Sequence, residues 1–413
     1  CIDNYEEAVK NADDEFKEDI DVEDYIPDEY KNLFNKSIEY RGIVSKIKVH
    51  ACFEPNTLVL TNTGYKKIKD IKIGDLVLTH KGNYEQVLDT QINNTNKILK
   101  IKATCDEIIT TPNHPFFIRK NIGNPIKKYS EPYWEIAKNL TTKDYIGMPI
   151  NHKSIIPKMK NTSKTSHNFL LDLSDKNSWW LIGRYIGDGW IENCRNNDYR
   201  ICICCNKNKE KNELKTIINK IPKELKYHID ETRTTYKIMI YNKSLFDYLS
   251  QFGKYAYGKH LTNDIIDLPI DLLKSFLIGY LSADGYKHKD EKAISFCTVS
   301  KELALGLQQC IHKVYKTACT ITISKEGTDV IEERIVNRRK KYRGRFAIIE
   351  TKNKTNEYID GMVWFKIKSI LLVNEKKDMY NLSVNKDNSY TVNNVACHNC
   401  GHLLFDGDIR REI

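Results

Sequence analysis

The chain has 413 residues, 40% hydrophobic and 29% charged. It carries no apolar run near the ~20 residues that cross a bilayer and no basic-then-apolar leader, so a soluble protein without a membrane partner is expected. Twelve unevenly spaced cysteines do not look like a secreted disulfide framework, and a reducing, cytoplasmic setting is the expectation. The first residue is Cys1 rather than Met, which leads us to expect a fragment or a processed chain. Net charge is +10, but residues 1–51 carry −7 and residues 400–413 carry −1, leaving +18 on residues 52–399. An excess of that size favours a polyanion, chiefly nucleic acid; a coding bias towards Lys, Asn and Ile is the alternative source.

Residues 5–40 have charge-rich helical patterns broken at Pro27. From Cys52 short alternating strands take over in TLVLTNTGYKKIKDIKIGDLVLTHKGNYEQVLDTQI, punctuated by Gly64, Gly74 and Gly82, the texture of an all-β domain. Longer helical stretches start near residue 165, notably NSWWLIGRYIGDGW and LPIDLLKSFLIGYLSADGY. Strands return after about residue 365 in MYNLSVNKDNSYTVNNVACHN.

The helical middle contains a repeat. LIGRYIGDG, Leu181 to Gly189, matches LIGYLSADG, Leu277 to Gly285, and each copy is followed by a strand pattern and then a helix. Two equivalent units imply a pseudo-twofold arrangement. Small residues fall four apart in each copy, Gly183 and Gly187 in the first, Gly279 and Ala283 in the second, so two helix backbones could approach closely there. Asp188 and Asp284 end these stripes. A carboxylate at a helix C-terminus is disfavoured by roughly 0.3–1 kcal/mol, and two brought together repel unless a cation lies between them. Mg²⁺, bound by carboxylates, phosphate oxygens and water, is the natural candidate.

The two nonapeptides resemble the paired LAGLIDADG motifs of homing endonucleases. That resemblance implies an α+β two-repeat domain of αββαββα order over residues 165–355. Asp188 and Asp284 would bind metal, one for each strand of a double-stranded DNA partner, beneath a saddle of strands in the major groove. The segment YGKHLTNDIIDLP resembles the one before the family's second helix and puts Lys259 forward as an active-site lysine. Cys194, Cys202, Cys204 and Cys205 invite a zinc reading, but Cys202 and Cys204 would share one strand face and Cys205 the other, so a strand of the saddle is expected instead. The basic stretch Arg334 to Arg345 suits either phosphate contacts or a solvated loop.

Chemistry of another kind marks the flanks. CFEPNTLVLT from Cys52, TTPNHPFF from Thr110 and VNNVACHNC ending at Cys400 together resemble the termini and internal histidine motif of inteins. The resemblance implies a horseshoe-like, Hint-type all-β splicing domain built from residues 52–155 and 365–399, acting without a cofactor. A Cys thiol is the best protein nucleophile near neutral pH, and Cys52 would attack the Ala51 carbonyl. His114 would protonate the leaving nitrogen, with Thr111 holding the geometry. Cys400 would take over the acyl group. Asn399 would cyclise and cut the bond before Cys400, assisted by His398. Cys397 is expected to be an apolar strand residue without a catalytic role. Asn381 and Asn388 stand where the family commonly has an acidic residue and a histidine, so charge-based tuning by those two positions is lost. The alternatives are an intein whose nuclease has decayed to DNA binding, and a structural protein whose cysteines, Cys397 and Cys400 among them, bind metal.

Joined, residues 1–51 and 400–413 read YRGIVSKIKVHA followed by CGHLLFDGDIRREI, similar to the DNA polymerase III alpha subunit. An amidohydrolase-type metallopeptidase, with His50 or His402 as ligand, is the competing host. The inserted part is expected to be monomeric.

Overall fold

The structure, a computed structural model, describes residues 46–48, 51–123, 128–163, 169–194, 198–207, 213–288, 292–324, 326–331, 334–348, 356–399 and 402–404. The helical patterns expected over residues 5–40, and Cys400, lie outside the described residues.

The β-rich ends of the chain form one antiparallel sheet. Along its main path the strands run Glu357–Ile359, Met362–Lys366, Asp144–Pro149, Pro115–Lys120, Val395–His398, Ser389–Val392, Leu58–Thr61, Leu76–Leu78, Tyr84–Lys102 and Ser369–Val384. Strands from before and after the insertion alternate along this path, so neither end can complete the sheet alone. Two of them, Glu357–Ile359 and Met362–Lys366, pair into it ahead of residue 365, where the returning strands were expected to begin. The expectation missed them because MVWFK, apolar at four successive positions, has no period-2 alternation; the sheet buries it on both faces. The turns follow local chemistry. Gly82 has φ +76, and a Cβ there would sit 2.3 Å from the Ile150 carbonyl oxygen, so both the backbone and the space call for glycine.

Among the described residues the insertion has six helices: α1 (Lys176–Asp188), α2 (Glu213–Ile218), α3 (Lys243–Ser250), α4 (Asn263–Ile266), α5 (Ile270–Asp284) and α6 (Lys301–Tyr315). The helix α1 starts at Asp175, whose carboxylate accepts from the Asn177 and Ser178 amides. After α1 comes a four-stranded sheet ordered Gly189–Cys194, Asp198–Asn206, Thr235–Tyr241, Lys226–Glu231; after α5 comes another, Gly285–Lys287, Ala293–Thr298, Lys341–Ala347, Thr320–Ser324. Both sheets have the same first–second–fourth–third strand order, so the repeat in sequence is a repeat in topology. On Lys341–Ala347 the exposed residues are Lys341, Arg343 and Arg345, while Tyr342, Gly344 and Phe346 are buried. The period of two thus puts a basic row on the solvent side of the second sheet.

The small-residue stripes meet as expected. A Cβ on Gly183 would lie 2.1 Å from the Phe276 carbonyl oxygen, and one on Gly279 2.0 Å from that of Trp180. A Cβ on Gly187 would fall 2.3 Å from the Ala283 methyl. Helices α1 and α5 therefore touch backbone to backbone, with Trp179, Tyr185, Phe276 and Tyr280 buried around the contact.

One core runs through both halves. The strand Leu58–Thr61 is buried at every residue. Its Leu58 and Leu60 pack with Tyr65 into the cluster that holds Trp180, Phe276 and Leu305 of the helices, while Val59 packs into the β-rich end's own core. Gly183→Ala tests the helix contact. Replacing a helical glycine ordinarily gains up to about 1 kcal/mol, but here the new methyl overpacks a backbone contact, typically costing about 1–3 kcal/mol. The expected outcome is a lower thermal midpoint; an unchanged or raised one would show that the helices have room to part.

Candidate active sites

The first site lies where the β-rich ends meet. Strand Ile108–Thr110 and the residues after it run beside Cys52. The Cys52 N–H, which belongs to the Ala51–Cys52 peptide bond, donates to Thr111 Oγ1 at 2.9 Å. The Cys52 carbonyl accepts from the Thr111 amide at 3.0 Å and from Thr110 Oγ1 at 3.0 Å. The thiol accepts from Asn93 Nδ2 at 3.4 Å, and the side chain is fully buried beside Ile98 and Met379. Phe53 exchanges two backbone hydrogen bonds with Tyr380, both 2.7 Å, which clamps the chain just after the nucleophile.

His114 is fully buried, with the Phe53 ring 4.1 Å from its own. Burial pushes it down to about 3, against the backbone of Ala51, which favours the charged ring. Neither ring nitrogen makes a well-formed hydrogen bond among the described residues, although the backbone groups of Ala51 and His398 lie near enough to act on the ring. The result is a neutral imidazole beside the peptide group preceding Cys52, free to move a proton.

On the other side of the same sheet region, strand Val395–His398 pairs with Ser389–Val392 and, through Cys397 opposite Phe116, with Pro115–Lys120. His398 Nδ1 is 3.2 Å from the Asn399 carbonyl oxygen, so in that tautomer its N–H donates to the carbonyl of the Asn399–Cys400 bond. Asn399 is buried. Its Nδ2 donates to the Val384 carbonyl at 2.9 Å and to Asn388 Oδ1 at 3.3 Å, and its amide donates to the Asn388 carbonyl at 2.7 Å. Cys397 is buried, its thiol donating to the Tyr390 carbonyl at 3.3 Å, as suits an apolar strand position.

The departures at Asn381 and Asn388 take on specific roles. Asn381 is buried and accepts the Tyr390 hydroxyl at 2.7 Å, a neutral pair where a carboxylate would be a desolvated charge. Asn388 supplies two of the acceptors that hold Asn399. Sequence reasoning missed Asn93, His80 and Trp134. The Trp134 ring packs against both His80 and His398, at 5.2 and 5.0 Å between centroids. His80 Nδ1 is 2.6 Å from Ser389 Oγ, and burial pushes the ring down to about 4. No local motif marks these residues, because they reach the junctions only through strand pairing.

The second site lies at the C-terminal ends of α1 and α5, whose last residues are Asp188 and Asp284. Arg184, one turn before Asp188, is buried and pairs with it at 3.2 Å, while also binding Glu213 and donating to the Ser282 carbonyl at 2.6 Å and the Cys204 carbonyl at 3.0 Å. Lys259 reaches the same end of α1. Its ammonium donates to the carbonyls of Tyr185 at 3.1 Å, Ile186 at 2.6 Å, Gly187 at 3.3 Å and Gly189 at 2.7 Å. It caps the helix from the side, where a positive charge is favoured. Burial lowers Lys259 to about 8, with Asp284 and Asp188 opposing the drop. Burial and the like charge of Asp188 raise Asp284 to about 6, against the pull of Lys259.

Asp188, Asp284 and Lys259 thus lie within electrostatic reach of one another at the ends of α1 and α5. Among the described residues no cluster of three His, Cys, Asp or Glu side chains could hold a metal; the zinc readings include Cys194 and Cys400, whose side chains lie outside the described residues. Asp188 and Asp284 suit a hard divalent cation that draws its remaining ligands from phosphate and water, the usual pattern for Mg²⁺.

Comparison with known proteins adds the family. The sequence model of the intein splicing domain matches residues 58–399. The chain belongs to this family. The intein is 24% identical over 410 residues to an uncharacterized protein of Methanocaldococcus jannaschii, covering 84% of this chain and 50% of that protein. It is 23% identical over 416 residues to the ATP-dependent DNA helicase Hel308 of Thermococcus kodakarensis, covering 85% of this chain and 36% of the helicase. The chain therefore spans half or less of the length of these curated relatives. Among solved structures, the homing endonuclease I-DmoI in complex with DNA and Mn is similar at 18% identity and a TM-score of 0.30, over 41% of this chain and 89% of its own.

The raised Asp284 yields a test. An acid whose folded value lies above its unfolded one favours folding most below the unfolded value, and that contribution is lost as pH rises through about 6. Asp284→Asn is therefore expected to raise the thermal midpoint of the metal-free intein at neutral pH by a few degrees, about 2–4 °C. It should also flatten the dependence between about pH 4 and 6; a wild-type pH profile in the variant would mean Lys259 already neutralises the site.

Proposed function

We propose that the chain is a self-splicing precursor in which residues 52–399 leave and Ala51 is joined to Cys400. The observation that carries this reading is the convergence of both junctions on one sheet, Thr111 bonded to the nitrogen of the first scissile bond and His398 to the carbonyl of the second. Cys52 Sγ attacks the Ala51 carbonyl carbon. The thiol proton passes through the neutral His114 ring to the Cys52 nitrogen, and the C–N bond gives way to a thioester. Asn93 supports the sulfur and Thr111 keeps the leaving nitrogen pyramidalisable. Cys400 then displaces the Cys52 thiol by thioester exchange. Asn399 Nδ2 attacks its own main-chain carbonyl carbon, polarised by His398. A succinimide forms as the bond to Cys400 breaks, the Nδ2 proton going to the Cys400 nitrogen. That amine takes the acyl group from its own sulfur, leaving an ordinary peptide bond.

In the insertion, the reading is a homing endonuclease that binds double-stranded DNA, supported by the paired helix ends, the duplicated sheets and the basic row Lys341, Arg343 and Arg345. Asp188 and Asp284 would hold Mg²⁺, which when bound lowers the pKa of water and neutralises charge on a phosphodiester. Lys259 keeps the end of α1 in place and adds positive charge beside the acids, and Arg184 orients Asp188.

We assign the flanks, by their resemblance alone, to a host of the DNA polymerase III alpha type, and read the excised intein as monomeric and cytoplasmic. Strand Lys46–Lys48 pairs with His402–Leu404, which is compatible with any host whose two flanks adjoin.

Expression should yield a 348-residue intein and a 65-residue ligated product by mass spectrometry. An intact chain as the sole species, with Cys52 and Asn399 unaltered, would sink the splicing reading. His114→Ala should slow thiol-induced cleavage before Cys52 by about 10²–10⁴-fold. For the endonuclease, purified intein with Mg²⁺ and a duplex of the uninterrupted host junction should give double-strand breaks, abolished in Asp188→Asn and Asp284→Asn; no breaks, with splicing intact, would leave a splicing-only intein.

A further inference from the structure

The turn that feeds the C-terminal splice junction is anchored on the insertion. Asn393 and Asn394 form the turn between strands Ser389–Val392 and Val395–His398, both in the left-handed region, at φ +47 and +72. Asn393 holds the turn to the β-rich end, its amide donating to the Leu58 carbonyl at 2.7 Å. Asn394 points the other way. Its Oδ1 accepts the Tyr65 hydroxyl at 2.6 Å, and its Nδ2 donates to the Leu305 carbonyl at 3.0 Å and to Gln308 Oε1 at 3.0 Å. Leu305 and Gln308 belong to α6. Gln308 is fixed in turn by donating to the Cys319 carbonyl at 2.7 Å, and all of these side chains are buried.

The next turns of the same helix face extend the contact. Gln309 donates to the Pro149 carbonyl at 3.1 Å and Lys313 to the Lys153 carbonyl, Lys313 being held within the insertion by the Ile266 carbonyl at 3.1 Å. Helix α6 thus lies along the splicing sheet through polar groups that would be left unsatisfied and buried if it moved away.

From Asn394 to His398 there is only the strand Val395–His398, and a paired strand transmits a displacement at one end to the other. We propose that α6 of the insertion positions the C-terminal splice junction, with Asn394 as the positioning residue through which it acts. The inference rests on the splicing reading above and adds to it a dependence of the second cleavage on the endonuclease half. The N-terminal step does not share this support, because Cys52 is held by Thr111 and Asn93, and Phe53 after it by Tyr380, all contributed by the β-rich ends.

The test compares the two steps in the full-length precursor. Asn394→Ala and, on the far side of the contact, Gln308→Ala are each expected to slow cleavage at Asn399 about ten- to hundredfold, since sub-ångström misplacement of a reacting group has that scale of effect. Thiol-induced cleavage before Cys52 should stay within about twofold of wild type. Precursor would then accumulate as N-terminally cleaved or branched species. Gln308→Glu, which keeps an acceptor for Asn394 Nδ2, should restore C-terminal cleavage relative to Gln308→Ala. Two outcomes would overturn the proposal: wild-type rates at both junctions in both alanine variants, or equal slowing of both steps, which is the signature of general destabilisation. Failure of the wild-type precursor itself to cleave at either junction would instead remove the splicing reading, and this proposal with it.

Discussion

The constraint on which the rest of this molecule depends is the placement of strand Val395–His398 between Pro115–Lys120 and Ser389–Val392. Cys397 stands opposite Phe116 across a sequence separation that encloses the whole insertion. Only that pairing puts His398 and Asn399 on the sheet that also carries Cys52, Thr111 and His114. Because side chains alternate along a strand, a slip of one residue would turn His398 away from the Trp134 ring and expose Cys397. The burial of Val395, Ala396 and Cys397 penalises such a slip, so the register that fills the core also sets the chemistry.

Burial then decides which charges the junctions carry. His114 and His80 are both held neutral by desolvation, and Asn381 is an uncharged side chain at a buried position. The junctions therefore carry neutral imidazoles in a buried part of the sheet. The insertion follows the opposite rule. At the ends of α1 and α5 the acids sit against a helix terminus that disfavours them, and Arg184 and Lys259 are embedded to compensate. Lys259, read from the sequence as a lysine of the active site, caps the C-terminal end of α1 through four backbone carbonyls.

The halves are chemically separate yet mechanically joined. Leu58 and Leu60 face the helices while Val59 between them faces the sheet's own core, so a single fully buried strand serves both. Polar contacts from α6 to Asn394, Pro149 and Lys153 reinforce that shared core at the edge nearest the second junction.

Much of this was legible in the chain alone, for physical reasons. A nucleophile, a Thr-x-x-His and a His-Asn-Cys are local groupings whose chemistry needs those residue types, and the glycine stripes in the two nonapeptides announce a close helix contact without any knowledge of the partner. The sequence by itself thus determined the repeat and the close helix contact, and it is the source of the proposed junctions and paired acids. It could not show Asn93 beneath the Cys52 thiol, Trp134 between two histidines, Arg184 on Asp188, or Asn394 on α6. Those contacts join residues far apart in the chain, and an isolated Asn, Trp or Arg has no periodicity to betray its partner. Strand register and helix docking decided them, because hydrogen bonds and packing act on distance in space and not along the chain.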